Sequence, residues 1–116
     1  MSDVNIINLP NHVSGDTFAG YRFDAKTEAG VNYPLTGSAL QCSFRFNNPL
    51  GTITQTFTIG SGLSWIDEAN GIFQINTQVI SWAAGKYYYE IEITLADTTI
   101  LSPIKGTFTI KPQTTI

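Results

Sequence analysis

Reactive and metal-binding side chains are nearly missing from this sequence, whose 116 residues include one cysteine, Cys42, and one histidine, His12. One cysteine cannot close an internal disulfide, and together with one histidine it cannot build a zinc or redox-metal cluster. Cys42 lies in an apolar alternation and is expected to be a buried small hydrophobe rather than a reactive thiol. His12 stands in the polar stretch Pro10-Asn11-His12-Val13, beside no recognisable nucleophile, and is expected on the surface. Neither a P-loop nor a dinucleotide-binding glycine motif occurs, so the common phosphate-cradling loops are excluded.

Charge is scarce as well. Asp, Glu, Lys and Arg make up 13% of the chain, about half the share in an average globular domain, and the net charge is −3. The six Lys and Arg are dispersed from Arg22 to Lys111 without forming a run, which argues against a phosphate-binding surface and a nucleic-acid partner. The start, Met1-Ser2-Asp3-Val4-Asn5, has no basic region followed by an apolar stretch, and no apolar run approaches the ~20 residues of a membrane helix. The expectation is a soluble product made in a cytoplasm, with no membrane partner.

Carboxylates do occur in pairs. Glu90 and Glu92 share the outward side of one strand, which reads as a solvated sheet face, because acid-base work also needs a cleft and one raised pKa. Asp67-Glu68-Ala69-Asn70-Gly71 crowds acidic groups into one turn but lacks the alternating ligands and closing glutamate of a calcium loop. No catalytic residue, metal site or cofactor is therefore expected, and the chain is expected not to be an enzyme.

Abundant instead are hydrophobic residues, at 42%, and aromatic ones, at 12%, arranged with a period of two. Tyr87, Tyr89, Ile91, Ile93 and Leu95 alternate with Tyr88, Glu90, Glu92 and Thr94. Leu40, Cys42, Phe44 and Phe46 alternate with Gln41, Ser43, Arg45 and Asn47. Ile104, Gly106, Phe108 and Ile110 alternate with Lys105, Thr107, Thr109 and Lys111. Each predicts a strand with one buried and one wet side. Weaker strands are expected over Val4 to Leu9, Thr17 to Asp24, Leu63 to Ile66 and Ile72 to Asn76. Another is expected over Ile53 to Ile59, with Ile53, Phe57 and Ile59 inward and Thr52, Thr54, Thr56 and Thr58 outward.

Turn residues separate these segments at Ser14-Gly15-Asp16, Glu28-Ala29-Gly30, Asn47-Asn48-Pro49, Gly60-Ser61-Gly62, Asn70-Gly71, Ala84-Gly85 and Ala96-Asp97. The predicted architecture is all-β, a single domain over 1–116 of seven to eight antiparallel strands in two packed sheets, with 111–116 a flexible or partner-docking tail. Five aromatic residues do not all fit the inward pattern: Trp65, Trp82, Tyr33, Phe18 and Tyr88. They are the candidate interface residues, with Tyr88, outward between charged neighbours, the first choice; the competing role for the tryptophans is to close the ends of the sandwich.

Five segments in order resemble a known family. They are Gly15-Asp16-Thr17-Phe18, then Pro34-Leu35-Thr36-Gly37-Ser38-Ala39-Leu40 with Phe44-Arg45-Phe46, then Asp67-Glu68-Ala69-Asn70-Gly71-Ile72-Phe73-Gln74-Ile75. Ala84-Gly85-Lys86-Tyr87-Tyr88-Tyr89-Glu90-Ile91 follows, and Ala96-Asp97 with Gly106-Thr107-Phe108-Thr109-Ile110 completes the set. Together they resemble the immunoglobulin-like domains of phage tails and baseplates, in particular the N-terminal domain of baseplate upper proteins.

The resemblance implies an immunoglobulin-like sandwich in which Tyr87 or Tyr89 serves as a corner tyrosine. It also implies a virion structural protein, made in a bacterial host cytoplasm, whose partners are other virion proteins or further copies of itself. Members of that family continue into helical and partner-binding regions, so a free-standing copy is expected to be an accessory, connector or decoration subunit. A carbohydrate-binding module holding a bacterial surface glycan is the alternative expectation.

Overall fold

The computed structural model describes residues 5–26 and 30–113. Eleven strands follow in chain order: β1 (Asn5–Ile6), β2 (His12–Val13), β3 (Thr17–Phe18), β4 (Tyr21–Asp24), β5 (Ala39–Phe46), β6 (Ile53–Ile59), β7 (Gly62–Asp67), β8 (Ile72–Ile75), β9 (Gln78–Val79), β10 (Gly85–Thr94) and β11 (Ile100–Lys111). A single 3-10 turn, Glu68–Asn70, links β7 to β8. Four of the strands are two residues long, and the other seven build an all-β, immunoglobulin-like sandwich.

The two layers are parts of one rolled sheet rather than separate sheets. Its order is β1-β11-β10-β5-β6-β7-β8-β4, with β2 also on β11, and β3 pairs with β9 apart from it. The roll turns at Gly60-Ser61-Gly62, where β6 meets β7 over only Thr58↔Gly62 and Ile59↔Leu63. Gly62 has a φ of 97° and lies against the Phe57 ring, 2.5 Å from where a β-carbon would stand, so no other residue fits this corner. The long ladders are antiparallel, as expected, but β1 and β2 run parallel to β11 and β6 runs parallel to β7.

Alternation holds through β10, where Tyr87, Tyr89, Ile91 and Ile93 are buried, and through most of β5 and β11. Four expectations are corrected. Thr17 to Asp24 is two strands, because the chain turns at Gly20, at a φ of 93°, and passes from β9 to β8 as partner. Ile53 does not share the inward face of Phe57, because a bulge opposite Phe44/Arg45 shifts the register and leaves Ile53 41% exposed. Phe46, at the end of β5, is partly exposed and packs edge-on against Tyr87 at 5.0 Å. Lys111 belongs to β11 and pairs with Val13, so the tail starts later than expected. Val4, the Glu28-Ala29 part of a predicted turn and tail residues 114–116 lie outside the described residues.

The core is aromatic at its centre. The Phe44 ring meets Phe57 at 5.4 Å, Trp82 at 4.9 Å and Tyr89 at 5.8 Å, and Phe23 of the opposite layer reaches Tyr89 at 6.3 Å. Burying each such ring contributes roughly 1.5–3 kcal/mol, so this cluster supplies a large part of the force that closes the roll.

Candidate docking face

The outer side of the β5-β10-β11 ladder carries the residues that alternate away from this core. Tyr88 lies opposite Arg45 on one neighbouring strand and Thr107 on the other. Glu90 lies opposite Lys105 and Ser43, and Lys86 opposite Thr109. Period-two spacing along β11 adds Lys111 to the same side. Arg45, Lys86, Lys105 and Lys111, dispersed in sequence, thus share one face around Tyr88, which corrects the expectation that the cations do not cluster.

A groove of about 370 Å³ runs across this face, floored by Tyr88 and Thr107 and flanked by Leu50 and Pro49 on one side and Ile6 and Asn8 on the other. Local hydrogen bonds fix both walls. Asn48 Oδ1 accepts from the Leu50 N–H at 2.9 Å and the Arg45 Nε donates to the Gly51 carbonyl at 2.9 Å, so Arg45 braces the loop that carries Leu50. On the other side Asn8 Oδ1 accepts from both the N–H and the hydroxyl of Thr107, each at 3.1 Å. Leu50 is 91% exposed and Ile6 63%, which leaves apolar side chains in water beside the charged groups of Arg45, Lys105 and Glu90. The Lys86 ammonium sits 5.3 Å from the centre of the Tyr88 ring and so covers part of its π-face.

The five aromatic candidates separate. Tyr88 floors this groove; Trp65 lines another with Gln41, Thr58, Glu92 and Thr94; Tyr33 lines a shallower one with Pro34, Leu95 and Asp97. Phe18 is not a surface residue: it is buried on β3, which pairs with β9, and packs edge-on against Phe108 at 5.5 Å. Trp82 is half-buried among Phe44, Phe57, Tyr87 and Phe108, with Ser14 Oγ donating to its carbonyl at 2.8 Å, so it closes one end of the sandwich.

His12 also departs from its expected surface position. It is 7% exposed, lies 5.8 Å from the Phe18 ring, and its Nε2 is 3.1 Å from the Ile80 carbonyl. A carbonyl can only accept, so Nε2 carries the proton in this bond. Pairing of its two-residue strand with β11 takes His12 inside, and no polar-loop argument from sequence reveals a strand that short.

Cys42 is fully buried, and burial pushes its thiol pKa well above the usual thiol range. The Tyr87 hydroxyl donates to the Ala83 carbonyl at 2.7 Å, four residues upstream, in the manner of a corner tyrosine. Burial raises the pKa of Tyr87 and of Tyr89. Asp67 Oδ2 accepts from Asn70 Nδ2 at 2.7 Å, and Glu68 Oε2 from the Gly37 N–H at 2.9 Å, so both acids of that turn are engaged in local bonds. Among the described residues no three His, Cys, Asp or Glu side chains come together as metal ligands, and no helix is long and apolar enough to cross a membrane.

No family model and no curated protein matches the chain. Among solved structures it is similar to CopC from Methylosinus trichosporium OB3b, over 91% of this chain and 88% of that one, with a TM-score of 0.51 and 13% identity. Extracellular domains 3–5 of Drosophila OTK align over 95% of this chain and 34% of theirs, with a TM-score of 0.39 and 14% identity. At such identities the CopC likeness is one of fold.

Proposed function

We propose that the protein is a non-enzymatic structural component of a phage particle, in the tail, baseplate or as a capsid accessory, that works by docking through its sheet surfaces. The observation that carries the docking part is the groove around Tyr88, where exposed Leu50 and Ile6 flank an aromatic floor beside the charged groups of Arg45, Lys105 and Glu90. A water-exposed apolar cleft with charged margins gains free energy when a partner covers it, and the charges orient that partner. The assignment to a phage particle rests on the five ordered segments that resemble tail and baseplate domains. Rigid β ladders suit the role, since a docking face held by two neighbouring strands costs little ordering on binding.

Co-sedimentation with purified particles of the phage whose genome encodes the chain tests this proposal. Saturable binding by the wild type, weakened at least about tenfold by Leu50→Asp, supports it. No binding to particles or to any isolated particle component contradicts it.

A second reading, a carbohydrate-binding module, is favoured by the Trp65 groove, where a half-buried indole stands beside Gln41, Thr58, Glu92 and Thr94. Such an aromatic surface with adjacent polar groups is what a sugar ring needs. Glycan-array binding that Trp65→Ala abolishes would establish it. Tyr88 is less suited to that task, because Lys86 covers part of its ring.

A further inference from the structure

We infer that the groove around Tyr88 receives a second copy of this chain, head to tail, through the Ile66-Asp67-Glu68 corner at the end of β7. The inference deepens the docking proposal by naming the occupant.

Charge complementarity carries it. The outer face of β5-β10-β11 holds four cations, Arg45, Lys86, Lys105 and Lys111, and two carboxylates, Glu90 and Glu92, a surplus of two positive charges. The whole chain is at −3, so everything outside this face is at −5. A net-positive face on a chain whose remainder is net negative attracts that remainder in a second copy and repels a second copy of itself. None of the four cations is in an ion pair among the described residues, whereas Arg22 of the opposite layer is already bound to Asp24 at 2.8 Å.

Shape and polarity choose the segment. Ile66 is 46% exposed and is followed directly by exposed Asp67 and by Glu68, so the corner presents an apolar knob beside two carboxylates, whose local bonds to Asn70 and Gly37 each take one oxygen. The groove offers the inverse, an apolar slot between Leu50 and Ile6 whose charged lining is Arg45, Lys105 and Glu90, two cations to one carboxylate. β7 belongs to the β7-β8-β4 layer and the groove to the β11-β10-β5 layer, so one copy can use both surfaces at once. Such a contact joins different patches on the two partners, and repetition gives a ring or a filament rather than a closed symmetric dimer.

Sedimentation velocity over a concentration series tests this, at about 50 mM and about 500 mM NaCl, where screening of surface charges differs strongly. Wild-type protein is expected to grow in mass with concentration at low salt and to lose that growth at high salt. Lys105→Glu and Asp67→Lys are each expected to weaken association at least about tenfold. Mixing the two variants restores one contact per pair and so gives a heterodimer, since the intact groove of one meets the intact corner of the other. If Asp67→Lys disturbs the turn by circular dichroism, Ile66→Ser serves as the corner variant, and mixing it with Lys105→Glu gives the same restoration.

A wild type that stays monomeric at low salt overturns the inference. So does association that corner variants leave unchanged, which would mean groove-to-groove pairing. Particle binding by a protein that does not self-associate overturns the head-to-tail contact and leaves the docking proposal standing; self-association without particle binding does the reverse.

Discussion

The Tyr89 hydroxyl donates a 2.5 Å hydrogen bond to the carbonyl of Ile7, 82 residues earlier in the chain. This bond ties β10, the central strand of the β5-β10-β11 layer, to the segment that forms one wall of the groove. The ring is buried beneath the sheet while Tyr88, its neighbour, floors the groove on the other side. Core and groove are therefore linked through adjacent residues of one strand.

Removing that hydroxyl is expected to loosen the wall. Tyr89→Phe should cost about 1 kcal/mol, since it leaves the Ile7 carbonyl without this donor while keeping the ring in the core. Chemical denaturation reads the loss, and amide exchange should show faster exchange at Ile7 and Leu9, whose N–H groups bond Lys105 and Thr107. Unchanged exchange there would mean that the hydroxyl does not hold the segment.

Gly106 admits the same segment by having no side chain. A β-carbon there would overlap the Ile7 carbonyl and press on the Tyr89 ring. Gly106→Ala is expected to destabilise by about 3 kcal/mol, more than Tyr89→Phe, and to detach residues 5–9 from β11. Thermal melts of both variants beside the wild type check the order.

How much of this was legible in the sequence depends on the length of the pattern. β5, β10 and β11 carry long alternations, so their buried sides could be read directly, Cys42 and Tyr89 among them. β2 is two residues long and leaves no periodic trace, which is why His12 looked exposed. Phe18 failed for the same reason on β3. The cationic face was half legible: parity placed Arg45, Lys105 and Lys111 on wet sides of their strands. Only the strand order makes those sides one surface, and strand order depends on long-range pairing that local patterns do not encode.

Alkaline titration should separate the tyrosines. Burial raises the pKa of Tyr87 and of Tyr89, so their neutral forms are favoured by folding. A raised folded pKa gives stability that is fully present below the unfolded value of about 10 and is lost as pH rises through the folded value. Two of the five tyrosines in the chain are therefore expected to ionise late, together with loss of the native circular dichroism. Ionisation of Tyr87 and Tyr89 while the fold persists would contradict the burial that raises their pKa.

Cys42 should be silent until the chain unfolds. Its thiol is fully buried and its pKa is raised by that burial, so little thiolate is present at neutral pH. An aromatic disulfide reagent is expected to react at the rate of global opening and to label the thiol fully in denaturant. Fast labelling of the native protein would show that the roll opens locally near β5.

The central claim is that the surface around Tyr88 and Leu50 docks this chain into a larger assembly. Quantitative mass spectrometry of particles purified from phage carrying either the wild-type gene or Leu50→Asp tests it most directly. The account predicts several copies per particle for the wild type and strong depletion for the variant, with both proteins equally folded and equally abundant in the infected cell. Absence of the wild-type chain from the particles, or equal incorporation of the two proteins, would contradict it.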